Sequence, residues 1–199
     1  MSDQKIDGGK RTWIIASGCA GAVGAGFVAV PFISSFEPSE RERAAGAAVE
    51  VDIGGIKPGE KLTVEWRGKP VWIVRRTPEQ LAELPKVDKE LADPNSKRTN
   101  FAVTPEFARN DWRSLKPEYL VVVGICSHLG CSPSDKFAPG AQPSLPDDWA
   151  GGFLCPCHGS TFDMAGRVYK DKPAPDNLEV PPYQYLSDSR LLIGEEKRA

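Results

Sequence analysis

The chemistry of this chain is concentrated in one short stretch. Of its five cysteines, four fall within 126–157, and both histidines, His128 and His158, lie among them. Two motifs carry these six residues. The first is Cys126-Ser127-His128-Leu129-Gly130-Cys131; the second, after a gap of 23 residues, is Cys155-Pro156-Cys157-His158-Gly159-Ser160. Each motif offers one Cys–His pair and one further cysteine. Two thiolates and two imidazoles can hold a metal, and the remaining cysteines can pair with each other. Three chemistries are open. A structural zinc site uses such donors, but zinc fingers usually take both cysteines from one element and both histidines from another, and two cysteines would be left over. Plain disulfides would use the cysteines and leave no reason for the histidines to sit beside them. An iron–sulfur cluster with mixed ligation places two thiolates on one iron and two imidazoles on the other, which suits two loops giving one of each. The pairing of Cys-x-His-x-Gly-Cys with Cys-Pro-x-His-Gly is specific enough to favour the third.

Such loops need a rigid support. Tyr119–Ile125 (YLVVVGI) is a β-branched run that reads as a buried strand leading into the first motif. Leu62–Trp66 alternates apolar and polar residues, Arg67-Gly68-Lys69 makes a turn, and Val71–Val74 pairs back. Thr77-Pro78-Glu79-Gln80 has the cap, first-turn proline and reciprocal glutamine of a helix start. Residues 86–117 are irregular and polar, and no element is assigned there. Beyond the second motif, Lys172-Pro173-Ala174-Pro175 is a stiff loop. Leu178–Val180, Tyr183–Leu186 and Arg190–Ile193 then read as short strands, the last two joined by Ser187-Asp188-Ser189. The fold class expected is all-β and antiparallel.

The N-terminal part differs. No charged residue falls between Arg11 and Glu37, so Thr12–Phe36 is uncharged. Roughly 20 helical residues span a hydrocarbon core of ~30 Å, and this stretch is long enough. Gly18, Gly21, Gly24 and Gly26 favour packing against partner helices in lipid. A cleaved signal is the alternative, disfavoured by the length of the apolar stretch. Cys19 inside it acts as a small hydrophobe. Lys10-Arg11 is similar to a twin-arginine export signal with lysine in the first place. Residues 37–49 (EPSERERAAGAAV) have no apolar face to bury and read as a tether. The net charge of −2, with signs well mixed and no basic run, gives no sign of a nucleic-acid partner.

Taken together, the two motifs, the anchor, the tether, the Pro-Ala-Pro loop and Asn177-Leu178-Glu179-Val180-Pro181 resemble the Rieske subunit of the cytochrome bc complex over almost the whole chain. The resemblance implies an antiparallel Rieske-type β-sandwich head with a short helix and loops, tethered to a single N-terminal transmembrane helix. It divides the chain into a cytoplasmic N-terminus (1–11), the transmembrane helix (12–36), a flexible hinge (37–49) and a periplasmic 2Fe–2S domain (50–199) with its cluster-binding subdomain near 124–178. By motif position, Cys126 and Cys155 ligate the inner iron, His128 and His158 the outer iron, and Cys131 and Cys157 form a disulfide. A lasting disulfide belongs in an oxidising compartment, which puts the head in the periplasm of a bacterial inner membrane and the N-terminus in the cytoplasm.

The implied function is electron transfer within ubiquinol–cytochrome c reductase. One electron, coupled to a proton at His158, passes from ubiquinol at the cytochrome b subunit to the haem of a c-type cytochrome subunit, contributing to the proton gradient of a dimeric complex. The Ser160 hydroxyl is expected to donate to a cluster sulfide. Leu129 and Pro173–Pro175 are expected to shield the cluster and form a docking tip. Two positions depart from the family. Phe162 stands where many members have a tyrosine that bonds a ligand sulfur, and Lys172 replaces the glycine usual before Pro-Ala-Pro. A Rieske subunit of another periplasmic oxidoreductase, such as arsenite oxidase, is the alternative.

Overall fold

The computed structural model describes residues 8–37, 39 and 46–195. Residues 1–7 of the expected N-terminus, and 38 and 40–45 of the expected hinge, lie outside the described residues. The chain divides into two units, Met1–Ala44 and Ala45–Ala199.

In the first unit a single helix, α1 (Gly8–Ser34), runs for 27 residues. At 1.5 Å per residue it is about 40 Å long, enough to cross a bilayer. Its apolar side chains are exposed, as lipid-facing ones are: Trp13, Phe27 and Phe32 are among the most exposed large hydrophobics of the chain. The helix starts earlier than the uncharged stretch, since Lys10 and Arg11 continue its first turn.

The described residues of the second unit form three antiparallel three-stranded sheets. β1 (Val49–Asp52), β9 (Arg190–Ile193) and β8 (Tyr183–Ser187) form one, so the first and last strands of the head pair directly. β2 (Lys61–Trp66), β3 (Lys69–Arg75) and β4 (Tyr119–Val123) form the second. The β2–β3 turn, Arg67-Gly68, has positive φ at both residues, the geometry that matches strand twist in a two-residue hairpin. β4 is buried at every residue, as its β-branched run requires. β5 (Ser134–Lys136), β6 (Gly152–Leu154) and β7 (Thr161–Asp163) form the third and smallest sheet. α2 (Pro78–Glu83) carries the capping box read from the sequence: the Gln80 N–H donates to Thr77 Oγ1 and the Thr77 N–H to Gln80 Oε1.

One expected strand is absent. Leu178–Val180 forms no ladder. Prolines at 175, 181 and 182 remove donors on both sides of it. It is held instead by single bonds, Leu178 N–H to Gly166 O (2.9 Å) and Val123 N–H to Glu179 O (2.8 Å).

Two devices join the second and third sheets. Trp72 on β3 stacks on Phe153 of β6, with ring centroids 5.2 Å apart. Lys61 on β2 lies 4.3 Å over the Trp72 ring and pairs with Asp135 on β5 at 2.6 Å. The Trp72 ring also passes so close to residue 124 that a Cβ there would sit 2.2 Å from it, which only glycine avoids. Three fully buried arginines fasten the irregular chain. Arg76 donates to the carbonyls of Pro117, Trp112 and Met164 and to Ser114 Oγ. Arg113 donates to the carbonyls of Ala165, Gly166 and Leu178. Arg167 pairs with Asp163 (2.8 Å) and Asp88 (2.7 Å) and donates to Leu84 O. Burial pushes Arg76 and Arg113 down to about 10. At Arg167 burial acts the same way, but Asp163 and Asp88 outweigh it and the net direction is up. Residues 86–117, which show no pattern in the sequence, are therefore pinned to the segment that follows β7.

The close approach of Trp72 gives a direct prediction. Gly124→Ala forces the ring or the strand to shift and lowers head stability by about 1–3 kcal/mol. Thermal unfolding monitored by circular dichroism reads this as a lower melting temperature; an unchanged one contradicts the packing described.

Candidate metal centre

The first motif joins β4 to β5 and the second joins β6 to β7, and both fold into the same six-residue loop. In the first, the Cys126 N–H donates to Cys131 O (2.8 Å) and the Gly130 N–H to Cys126 O (3.1 Å). In the second, the Cys155 N–H donates to Ser160 O (2.7 Å) and the Gly159 N–H to Cys155 O (3.0 Å). The fifth residue of each turns through positive φ, +82° at Gly130 and +75° at Gly159, where an L side chain is strained.

This common shape sorts the side chains by depth. The first cysteine of each loop points inward: Cys126 is 1% exposed and Cys155 2%. His128 is half-buried and His158 exposed. Their rings lie edge to face with centroids 4.7 Å apart. Leu129 stands out at the tip, 71% exposed. Cys131 and Cys157 are joined by a disulfide. The sulfurs of Cys131, Cys155 and Cys157 lie within 4.8 Å of one another; because two of them are bonded together, the three do not form a three-thiolate metal site. Free donors at the tip are then two inward thiols and two outward imidazoles.

The surroundings of Cys126 favour its neutral thiol. Burial pushes the Cys126 thiol up, and the adjoining Cys155 adds to this, while the His128 N–H and the Ser160 hydroxyl act in the opposite sense. A bound metal ion reverses that preference, since a coordinating thiol loses its proton.

A third segment braces both loops. Ser160 Oγ, from the second loop, accepts the Ala174 N–H at 3.0 Å. Ser127 Oγ, from the first, donates to Asp176 O at 2.5 Å and accepts the Asp176 N–H at 3.3 Å. The Pro-Ala-Pro loop is thus tied to each motif by a serine. It is held from behind by Arg98, which donates to Pro175 O (2.6 Å), and by Asn177, which donates to Asp93 O and Ser96 Oγ and accepts the Val168 N–H. Sequence reading singled out Ser160 and missed Ser127, Asp93, Arg98 and Asp176. Ser127 had a signal, its place between two candidate ligands; the other three had none. Phe162 is fully buried on β7, opposite Phe153.

Comparison with known proteins agrees with this geometry. Residues 48–183 match the Rieske [2Fe-2S] domain, and residues 13–39 match the Ubiquitinol-cytochrome C reductase Fe-S subunit TAT signal. Over 190 residues the chain is 52% identical to the ubiquinol-cytochrome c reductase iron-sulfur subunit of Allochromatium vinosum, covering 94% of this chain and 89% of that one. The chain belongs to the ubiquinol–cytochrome c reductase iron–sulfur subunits. Subunits of the same name from Bradyrhizobium diazoefficiens and Rickettsia felis are 41% and 37% identical, covering 90% and 98% of this chain and 90% and 100% of theirs. As a Rieske subunit, the protein is an electron-transfer part of an oxidoreductase complex with cytochrome partners, and its cofactor is a 2Fe–2S cluster. Two buried thiols beside two imidazoles, with the head's other two cysteines in a disulfide, fit that group, and the match to the Rieske [2Fe-2S] domain decides against the zinc and plain-disulfide readings. Among the described residues α1 is the one helix long and apolar enough to cross a bilayer, which suits a single-pass anchor.

Hydrogen bonds to cluster sulfur stabilise the reduced, more negative state. On the expectation that the Ser160 hydroxyl would donate to cluster sulfur, Ser160→Ala lowers the midpoint potential, and Phe162→Tyr, which adds a hydroxyl, raises it, each by roughly 40 mV for ~1 kcal/mol. Voltammetry of the loaded protein checks both; no shift in either contradicts the role given to these side chains.

Proposed function

We propose that this subunit takes one electron and one proton from ubiquinol at the cytochrome b subunit and delivers the electron to the haem of a c-type cytochrome subunit. In this reading Cys126 and Cys155 hold the inner iron, and His128 and His158 the outer one. When bound there, the 2Fe–2S cluster supplies a one-electron acceptor in the range of roughly −150 to +300 mV, because neutral imidazoles replace anionic thiolates.

The observation that carries the reading is the split in exposure, with both thiols sealed inside and His158 at the surface beside Leu129. An exposed imidazole with one nitrogen on a metal has the other free to meet a quinol hydroxyl. His158 accepts the hydrogen bond there and then holds the proton. Leu129 and the exposed Pro173 and Pro175 form the rim that excludes water while the two are in contact. Ser127 and Ser160 keep that rim in register with both loops.

The orientation places residues 1–11 in the cytoplasm, 12–36 in a bacterial inner membrane and 50–199 in the periplasm, with 37–49 as the hinge on which the head moves between its partners. The disulfide supports an oxidising compartment, and the match of residues 13–39 to an export signal supports the same side. β1 begins at Val49, so the last residue of that hinge span already belongs to the first strand of the head. Resemblance to the family supports a dimeric complex.

Two experiments test the proposal on the purified complex with b- and c-type haems. His158→Gln, a residue that cannot take up the proton, lowers quinol turnover by about 10²-fold or more; normal turnover contradicts the role of His158. Several prolines placed within residues 40–45 slow turnover and leave the optical spectrum of the cluster intact. Equal turnover with the stiffened segment removes support for a moving head.

A further inference from the structure

Behind the first ligand loop lies a carboxylate that the reading above does not use. Asp176 is 4% exposed. Its Oδ2 accepts the Phe101 N–H at 2.7 Å, while Oδ1 meets no hydrogen-bond partner. None of the ion pairs among the described residues includes it. Its main chain is bonded twice to Ser127 Oγ, and Ser127 stands between Cys126 and His128. The carboxylate is thus one residue's hydrogen bonds away from the loop proposed to carry two ligands.

An isolated buried carboxylate is costly, and a water-sized space adjoins this one. Asp176 and Arg113 line one cavity of about 10 Å³, room for a single water. The Arg113 Nε is likewise buried and unpartnered, so one water there can accept from Arg113 and donate to Asp176. The guanidinium itself is anchored to the carbonyls of Ala165, Gly166 and Leu178, outside both ligand loops.

We propose that Asp176 tunes the iron–sulfur centre by charge: its buried carboxylate, on a residue whose main chain is bonded to Ser127 between Cys126 and His128, holds the reduction potential of the cluster down. The inference rests on the reading that Cys126 and His128 hold the cluster. Reduction adds one negative charge to the site. A fixed negative charge nearby opposes that addition, and burial keeps salt from screening it. Removing the Asp176 charge changes the local balance by one unit in favour of the reduced cluster.

The test is a redox titration of the full-length, cluster-loaded protein at fixed pH, followed by EPR, for the natural protein, Asp176→Asn and Asp176→Glu. Asparagine keeps an oxygen for the Phe101 N–H and loses the charge. The expected result is a higher midpoint potential for Asp176→Asn, persisting at high salt, with Asp176→Glu returning towards the natural value. Asp176→Ser, a second uncharged variant, gives the same rise if the asparagine protein does not hold its cluster. An equal or lower midpoint in the uncharged variants overturns the proposal. So does a rise that Asp176→Glu shares in full, because shape and not charge would then set it. Absence of a Rieske-type signal from the natural protein would strike the underlying reading; its presence with an unmoved midpoint strikes only the role of Asp176.

Discussion

A covalent bond between Cys131 and Cys157 turns two distant loops into one site. The two cysteines are 26 residues apart in sequence, and they come from loops whose main-chain hydrogen bonds close within each loop. Closing a span of that length removes chain entropy from the unfolded state worth about 3.5 kcal/mol in the loop-closure account. Its larger effect is on position. With the two loops stapled, the first cysteine of each is driven inward and the histidines are left at the rim. The donor set that suits a mixed-ligand cluster is a consequence of two equal turns meeting at one bond.

The rest of the head keeps that meeting point still. The small sheet that carries the second loop has three-residue strands and little ladder of its own. Its rigidity is borrowed, through Trp72 on Phe153 and Arg76 just past the end of β3 from the larger sheet, through Arg113 from the irregular segment before β4, and through Arg167 after β7, which reaches back to Asp88 and Leu84 O. Arg76 and Arg113 each span three carbonyls outside the ladders, and Arg167 joins two carboxylates and the Leu84 carbonyl. An interior made this way is expensive to open, because a buried guanidinium or carbonyl left without its partner loses far more than one ordinary hydrogen bond is worth. The braces on the Pro-Ala-Pro loop follow the same logic on a smaller scale: a segment with two prolines has few donors, so its neighbours supply the bonds.

How much of this was legible beforehand depends on the range over which the signal acts. The ligand motifs, the apolar span, the β2–β3 turn and the α2 cap are local patterns, and each reads directly from adjacent residues. Leu178–Val180 looked like a strand because apolar residues flank Glu179 in alternation, and the prolines around it decided otherwise. β5, β6 and β7 are too short for any periodicity to show. The contribution of residues 86–117 was hidden because it depends on partners more than fifty residues away, as at Arg113 with Ala165 and Leu178. Nothing beside Arg113 in the sequence marks it as buried, and nothing near Asp93 or Arg98 ties them to the loop after Lys172.

The central claim is that Cys126, His128, Cys155 and His158 together hold a cluster able to accept electrons from a quinol. Low-temperature EPR of the purified protein after addition of ascorbate tests it most directly, because ascorbate reduces high-potential clusters of this class and leaves low-potential ones oxidised. The account predicts a Rieske-type signal under ascorbate, with two irons per chain by metal analysis. A signal that needs dithionite would place the potential below the reach of a quinol, and zinc in place of iron with no signal under either reductant would contradict the account outright.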